Sequence, residues 1–283
     1  AAIVWPESVL AAAREMLLGA GDPAFIAEAL TLPGEATLAE QMEVVDPEAL
    51  HQARSSLARF LAGGLEADFA RLYGELATTT AYQPETAQVG RRRLRNLCLG
   101  YLNELDSADY RALARRQFDG SDNMTDQFAA LSVLANASGE EGNAALAAFY
   151  ERWQNEALVV DKWLAVQSSS RLSGTLARVE RLTAHPAFDI KNPNKVYALI
   201  RTFGANHRHF HAADGAGYRF LAAQIAQLDP INPQVAARLA RCFDRWKRFD
   251  GEHQCHAKAA LESLRQLPAL SPDVFEVVDK ALG

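Results

Sequence analysis

The chain is poor in everything that would stitch it or carry it through a membrane. Its three cysteines, Cys98, Cys242 and Cys255, stand at no disulfide or zinc spacing. Cys98 and Cys242 fall at apolar helical positions, where a thiol behaves as a small hydrophobe, and this usage points to a reducing, cytoplasmic compartment. No run of about 18 uncharged apolar residues occurs, so no helical membrane span is expected and no membrane is among the expected partners. The opening AAIVWPESVL has no charged n-region before an apolar core, and it reads as the middle of a longer chain. An excess of positive charge is missing too: the net charge is −6, which argues against general nucleic-acid binding. Runs of Val, Ile, Thr and aromatics alternating with period two are absent, which removes the usual signature of a sheet. His-Glu-x-x-His, Gly-x-Ser-x-Gly, a Walker loop and a strand-borne Gly-x-Gly-x-x-Gly are also missing, and the residues by themselves display no catalytic apparatus.

What is present is helix punctuation. Pro6, Pro23, Pro47, Pro193, Pro230, Pro233 and Pro272 all lie at or just before runs of helical periodicity, and Asp22, Asp46, Asn192, Asn232 and Ser271 precede five of them. A side-chain oxygen followed by Pro at the first helical position satisfies orphan N–H groups and removes one, so each pair predicts a helix start. Helices are expected near 6–19, 23–30 and 35–43. Another should open at Pro47, break at Gly63-Gly64 and continue through Phe69 and Tyr73. Residues 78–90 read as a polar loop, after which Leu94, Leu97, Cys98, Tyr101 and Leu102 form an apolar stripe. Helix, short turn, helix to the end predicts an all-α fold, an α-solenoid of stacked antiparallel helix pairs of the ARM or HEAT kind. With no large helix-free gap, residues 1–283 are expected to form a single domain.

The stretch 191–250 says most. Two Asn-Pro starts, Asn192-Pro193 and Asn232-Pro233, each lead into an apolar-periodic run. In the second, Val235, Leu239, Cys242, Phe243, Trp246 and Phe249 recur at helical spacing and predict one long helix. Gln234 and Arg238, four apart, project from one side of its first turns, and Arg241, Arg245 and Arg248 extend that side into a basic stripe. An amide and a guanidinium beside helix-start N–H groups could receive a carboxylate or a peptide carbonyl. A solvated face of an ordinary amphipathic helix gives the same spacing.

Other clusters read more plainly. His207, His209 and His211 would line one face of a strand but lie in helical surroundings, and His253, Cys255 and His256 match no structural zinc spacing. No metal site is expected in this chain. The arginines at 91–93 and Arg95 read as an ion-paired or solvated helical turn. Asp122–Asp126 has the alternation of half a calcium loop without its glycine and terminal Glu, and reads as a helix cap. Gly215 and Gly217 in FHAADGAGY read as a turn between helices.

Taken together, EALTLPGE (28–35), RRLRNLCLGYL (92–102), DNMTD (122–126), LVVDKW (158–163), KNPNKVYALI (191–200), FHAADGAGY (210–218) and NPQVAARL (232–239) resemble, in order, the C-terminal helical domain of bacterial aminopeptidase N. That family comprises zinc-dependent aminopeptidases of the gluzincin group. The resemblance implies a parent enzyme whose zinc and catalytic groups belong to a thermolysin-like domain outside this chain, with β domains around it. This part would cap the active site, admit short peptides and be inactive alone. Its partners would be the parent's own catalytic domain and peptide substrates. Carried over by motif, Gln234 and Arg238 would face substrate, and Lys195 and Tyr197 would approach the same passage. Tyr197 stands where relatives often have Arg, and of the HRHFH run only His211 fits the family pattern. A free-standing α-solenoid scaffold binding a partner protein is the alternative from a different class. A small metal-binding protein is a third.

Overall fold

The computed structural model describes residues 3–77, 82–137 and 139–283. In chain order its helices are α1 (Glu7–Leu18), α2 (Pro23–Ala29), α3 (Glu35–Ala39), α4 (Pro47–Gly64), α5 (Glu66–Glu75), α6 (Thr86–Asn103), α7 (Ala108–Gly120), α8 (Met124–Leu134), α9 (Glu140–Trp153) and α10 (Ala157–Ser168). They continue as α11 (Thr175–Thr183), α12 (Pro193–Val196), a wide π-type turn (Tyr197–Arg201), α13 (Thr202–Gly204), α14 (His207–Phe210), α15 (Ala216–Leu228), α16 (Pro233–Ala240), α17 (Gly251–Arg265) and α18 (Pro272–Leu282). Among the described residues there is no strand, only one isolated bridge between Val45 and Phe249, and no helix is long and apolar enough to cross a membrane. The fold is therefore all-α.

The five proline-marked starts behave as their chemistry requires. Asp22 accepts from the Ala24 N–H, Asp46 from Ala49, Asn192 from Asn194, Asn232 from Val235 and Ser271 from Val274. Each cap stabilises its helix by about 1 kcal/mol over alanine. The expected loop at 78–90 ends earlier than its polarity suggests, because α6 already starts at Thr86. Residues 78–81 of that loop lie outside the described residues.

Two compact units are present. One comprises the described residues of Ala1–Gly34 and Gln52–Ala148. It is built around α6, against which α2, α5, α7 and α8 pack. The α6 stripe is buried at Leu94, Cys98, Leu99, Tyr101 and Leu102. Tyr101 stacks on Phe69 at 4.8 Å and donates its hydroxyl to the Leu30 carbonyl at 2.7 Å. Burial pushes the Cys98 thiol up to about 12, an inert core position.

The arginine run is consumed inside this unit. Arg91 donates to the Glu75 carbonyl, Arg92 is buried against Gln83 and Gln88, Arg93 pairs with Glu28, and Arg95 donates to the Tyr73 hydroxyl. The DNMTD stretch is a cap, with Asn123 accepting from the Asp126 N–H at 2.9 Å. The buried Asp126 carboxylate is satisfied by Asn96 and Asn123, while Gln117 links Tyr73, Asn96 and the Asp126 carbonyl. A buried polar network of this kind is tolerated only when its members are paired.

The other unit comprises Glu35–His51 and Phe149–Gly283. Here α10 packs on the wide turn and α11, α15 on α16 and α17, and α18 on both α16 and α17. Its centre is aromatic. Phe210 meets Tyr218 at 5.1 Å and Phe243 at 5.5 Å, both near edge-on, and Phe203 meets Phe220 at 5.2 Å. The 35–51 segment is tied in through Val45, whose N–H donates to the Arg248 carbonyl at 2.8 Å. Around that tie Ala39, Val45, Leu50 and Phe249 form an apolar cluster.

The glycines of FHAADGAGY have definite uses. Gly215 holds φ = 67° ahead of α15, a left-handed conformation that favours glycine. Gly217 lies so close to the Phe210 carbonyl that a Cβ there would overlap it.

Candidate functional site

The two Asn-Pro starts set up one exposed constellation within the second unit. α16 buries Val235, Ala236, Leu239 and Ala240 and leaves Gln234 and Arg238 exposed. Both residues stand on the solvent side of a helix whose Asn232 cap fixes its first turn. From the other start, α12 passes directly into the wide turn at Tyr197–Arg201. Such π-type turns inside helices are uncommon and concentrate at functional positions.

The fold brings Arg238 and Tyr197 together. Arg238 Nη1 donates to the Tyr197 hydroxyl oxygen at 3.0 Å. Arg201, one turn beyond Tyr197, places its guanidinium carbon 5.8 Å from the centre of the same ring, within cation–π range. Sequence reasoning passed over Arg201, although its i, i+4 spacing from Tyr197 was visible.

Lys195, expected to approach the passage, is held by partners inside this unit. Its side chain is largely buried, and Nζ donates to the Asp161 carboxylate at 2.7 Å and to the Ala157 carbonyl at 3.0 Å. It therefore ties α12 to α10 and positions Tyr197, rather than presenting a free ammonium. A buried ammonium needs such partners, because leaving it unpaired in a low-dielectric setting is costly. Asp161 was missed as well; its signal was one acidic residue in the apolar run LVVDKW.

The expected long helix through Phe249 is corrected. α16 ends at Ala240 and is followed by two tight turns, Arg241–Phe243 and Trp246–Arg248. Val235, Leu239, Phe243, Trp246 and Phe249 are buried as expected and Cys242 partly so, but they serve different neighbours. Trp246 donates its indole N–H to the Ala281 carbonyl at 2.9 Å, whereas Phe249 enters the cluster of Ala39, Val45 and Leu50. One straight helix cannot supply both, and the chain bends. The basic stripe dissolves with it. Arg241 pairs with Asp244 and Arg245 with Glu40, while Arg248 donates to the carbonyls of Met42 and Glu40.

The histidines form a group beside this segment, His207 and His253 buried and His209 and His211 partly so. His211 stacks on Phe249 at 4.0 Å, lies 4.7 Å from the His207 ring, and shares a 2.7 Å hydrogen bond with the Tyr218 hydroxyl. His253 bonds to the His211 carbonyl at 2.9 Å and the Asp250 carboxylate at 2.7 Å. Burial pushes His207 and His209 below the usual imidazole range and His211 well below it, with neighbouring imidazoles adding to the effect on His207 and His211. Burial therefore favours the neutral ring at His207, His209 and His211. Among the described residues no group of three or more His, Cys, Asp and Glu is arranged to hold a metal ion.

Comparison with known proteins follows this geometry. Residues 2–283 match the family described as a domain of unknown function, DUF3458_C, with ARM repeats. The chain is 39% identical over 271 residues to aminopeptidase N of Caulobacter vibrioides, covering 95% of this chain and 31% of that protein. It is 38% identical over 282 residues to aminopeptidase N of Escherichia coli, covering 98% of this chain and 32% of that protein. A crystal structure of Legionella pneumophila aminopeptidase A in complex with aspartic acid is similar at a TM-score of 0.91 and 31% identity, over 99% of this chain and 34% of that one. The chain thus spans about a third of the length of the relatives it matches.

Proposed function

The chain belongs to the DUF3458_C family of ARM-repeat domains and fits the C-terminal domain of aminopeptidase N, and from this premise we propose that it caps the active site of a parent aminopeptidase and helps orient peptide substrates. The observation that carries this reading is the exposed pair of Gln234 and Arg238 on one side of α16, with Arg238 bound to Tyr197. An amide and a guanidinium four residues apart suit the carboxyl-terminal side of a short peptide, because the planar fork of arginine donates two parallel N–H bonds to a carboxylate. Holding that end fixes where the other end lies, which is how a group remote from the chemistry contributes to rate.

The zinc implied by the family has no set of ligands in this chain among the described residues. The metal and the hydrolytic groups belong, in this reading, to the remainder of the parent. The parent's catalytic domain is then the partner of this one, and the enzyme acts in the cytoplasm on peptides.

Two measurements test the proposal. This 283-residue chain, purified alone, is expected to hydrolyse no aminoacyl amide that the full-length parent hydrolyses; zinc-dependent turnover by the piece itself would overturn the division of roles. In the parent, Arg238→Ala should raise KM for tripeptides by about tenfold, equivalent to ~1.4 kcal/mol, and affect small chromogenic amides much less. Equal losses on both substrate types would remove Arg238 from substrate orientation.

A further inference from the structure

We propose that Arg201 is a second cationic arm of the site, which with Tyr197 and Arg238 forms a clamp for the terminal carboxylate of a short peptide. The inference rests on the capping reading and names the chemistry it selects. Basic side chains in this part of the chain divide by partner. Lys195 is paired with Asp161, Arg241 with Asp244 and Arg245 with Glu40. Arg208 donates to the Arg171 carbonyl, Arg219 to the Asp214 carbonyl, and Arg248 to two carbonyls. Among the described residues, Arg201 and Arg238 have no carboxylate partner, yet both engage the one phenol of Tyr197.

An anion seated against the Tyr197 hydroxyl would be attracted by both cations. Among the described residues no carboxylate fills that place. Tyr197 accepts a hydrogen bond from Arg238, which leaves its own O–H to donate. The clamp therefore offers two guanidinium forks and one hydroxyl donor, a set matched to an acceptor-only carboxylate. Lys195, held by Asp161 and the Ala157 carbonyl, fixes the helix end from which Tyr197 and Arg201 project. The wide turn makes those two residues its first and last members.

The test uses the full-length parent and a matched pair of tripeptides, one with a free C-terminal carboxylate and one with a C-terminal amide. Arg201→Gln is expected to lower the ratio of kcat/KM for acid over amide by about fivefold, through KM rather than kcat, and Arg201→Lys should restore part of it. Tyr197→Phe, which keeps the ring and removes the hydroxyl, should lower the same ratio. If Arg201→Gln leaves the ratio unchanged while Arg238→Ala lowers it, the clamp is wrong and the capping role of α16 survives. If neither substitution moves the ratio, both readings fall. Melting temperatures of the variants within about 2 °C of the parent's show that the ratio reports binding and not unfolding.

Discussion

Alanine at Phe210 should lower the unfolding free energy by about 3–5 kcal/mol, the usual range for removing a buried aromatic side chain. Phe210 is fully buried and meets Tyr218, Phe243 and His211 with ring centres 5.1, 5.5 and 4.8 Å away. Its removal opens a cavity bounded by rigid rings, which cannot collapse into it as flexible aliphatic chains would. It also strips edge-to-face partners worth about 0.5–1.5 kcal/mol each beyond area burial. Phe210→Leu, which retains part of the volume, should cost less than half as much. Urea unfolding followed by tryptophan fluorescence measures both. A loss below about 1 kcal/mol for the alanine variant would mean that this aromatic centre is not the organising core of its unit.

Acidification is the second large effect. His207 and His209 lie below the usual imidazole range and His211 well below it, in each case first because burial disfavours the charged ring. Against this, Glu35 favours the charged form of His207; His253 opposes it there and at His211, and Arg208 and His51 oppose it at His209. The unfolded chain binds protons at these positions from about pH 6.5 downward, whereas the folded chain does not until lower pH. Between those limits the unfolded state holds more protons, and stability falls as pH falls. Above the unfolded value these groups contribute no slope.

Thermal midpoints taken from pH 8 to pH 5 should therefore be level at first and then decline below about pH 6.5. His211→Asn, which cannot be protonated and keeps a polar atom for Tyr218, should be less stable at pH 8 and show a shallower decline. A flat profile to pH 5 would contradict the assignment of these rings as neutral.

Much of this architecture was legible beforehand because its signals are local. At Asp22, Asp46, Asn192, Asn232 and Ser271 the capping oxygen and the following Pro act within one turn, and each starts a helix. Leu94, Cys98, Tyr101 and Leu102 of the α6 stripe, and Val235, Leu239, Phe243, Trp246 and Phe249 farther on, are buried where helical spacing put them, while Leu97 and Cys242 are only partly so. The failure at Ala240 has a tertiary cause. Periodicity shows which side chains leave water but not which neighbours receive them, and Trp246 and Phe249 are received by different elements. Lys195 illustrates the same limit. Its motif gave no sign of the partner of its ammonium, Asp161, 34 residues away in sequence.

Composition and spacing alone thus determined an all-helical chain, the starts of its principal helices and most of the residues that leave water, while the family came from the resemblance of its ordered motifs. Tertiary structure alone decided which charges are spent on internal partners and which stay exposed. Arg245 meets Glu40 across 205 positions of sequence and Arg238 meets Tyr197 across 41. Coulomb attraction and hydrogen bonding depend on distance in space, and no spacing rule along the chain reports that distance.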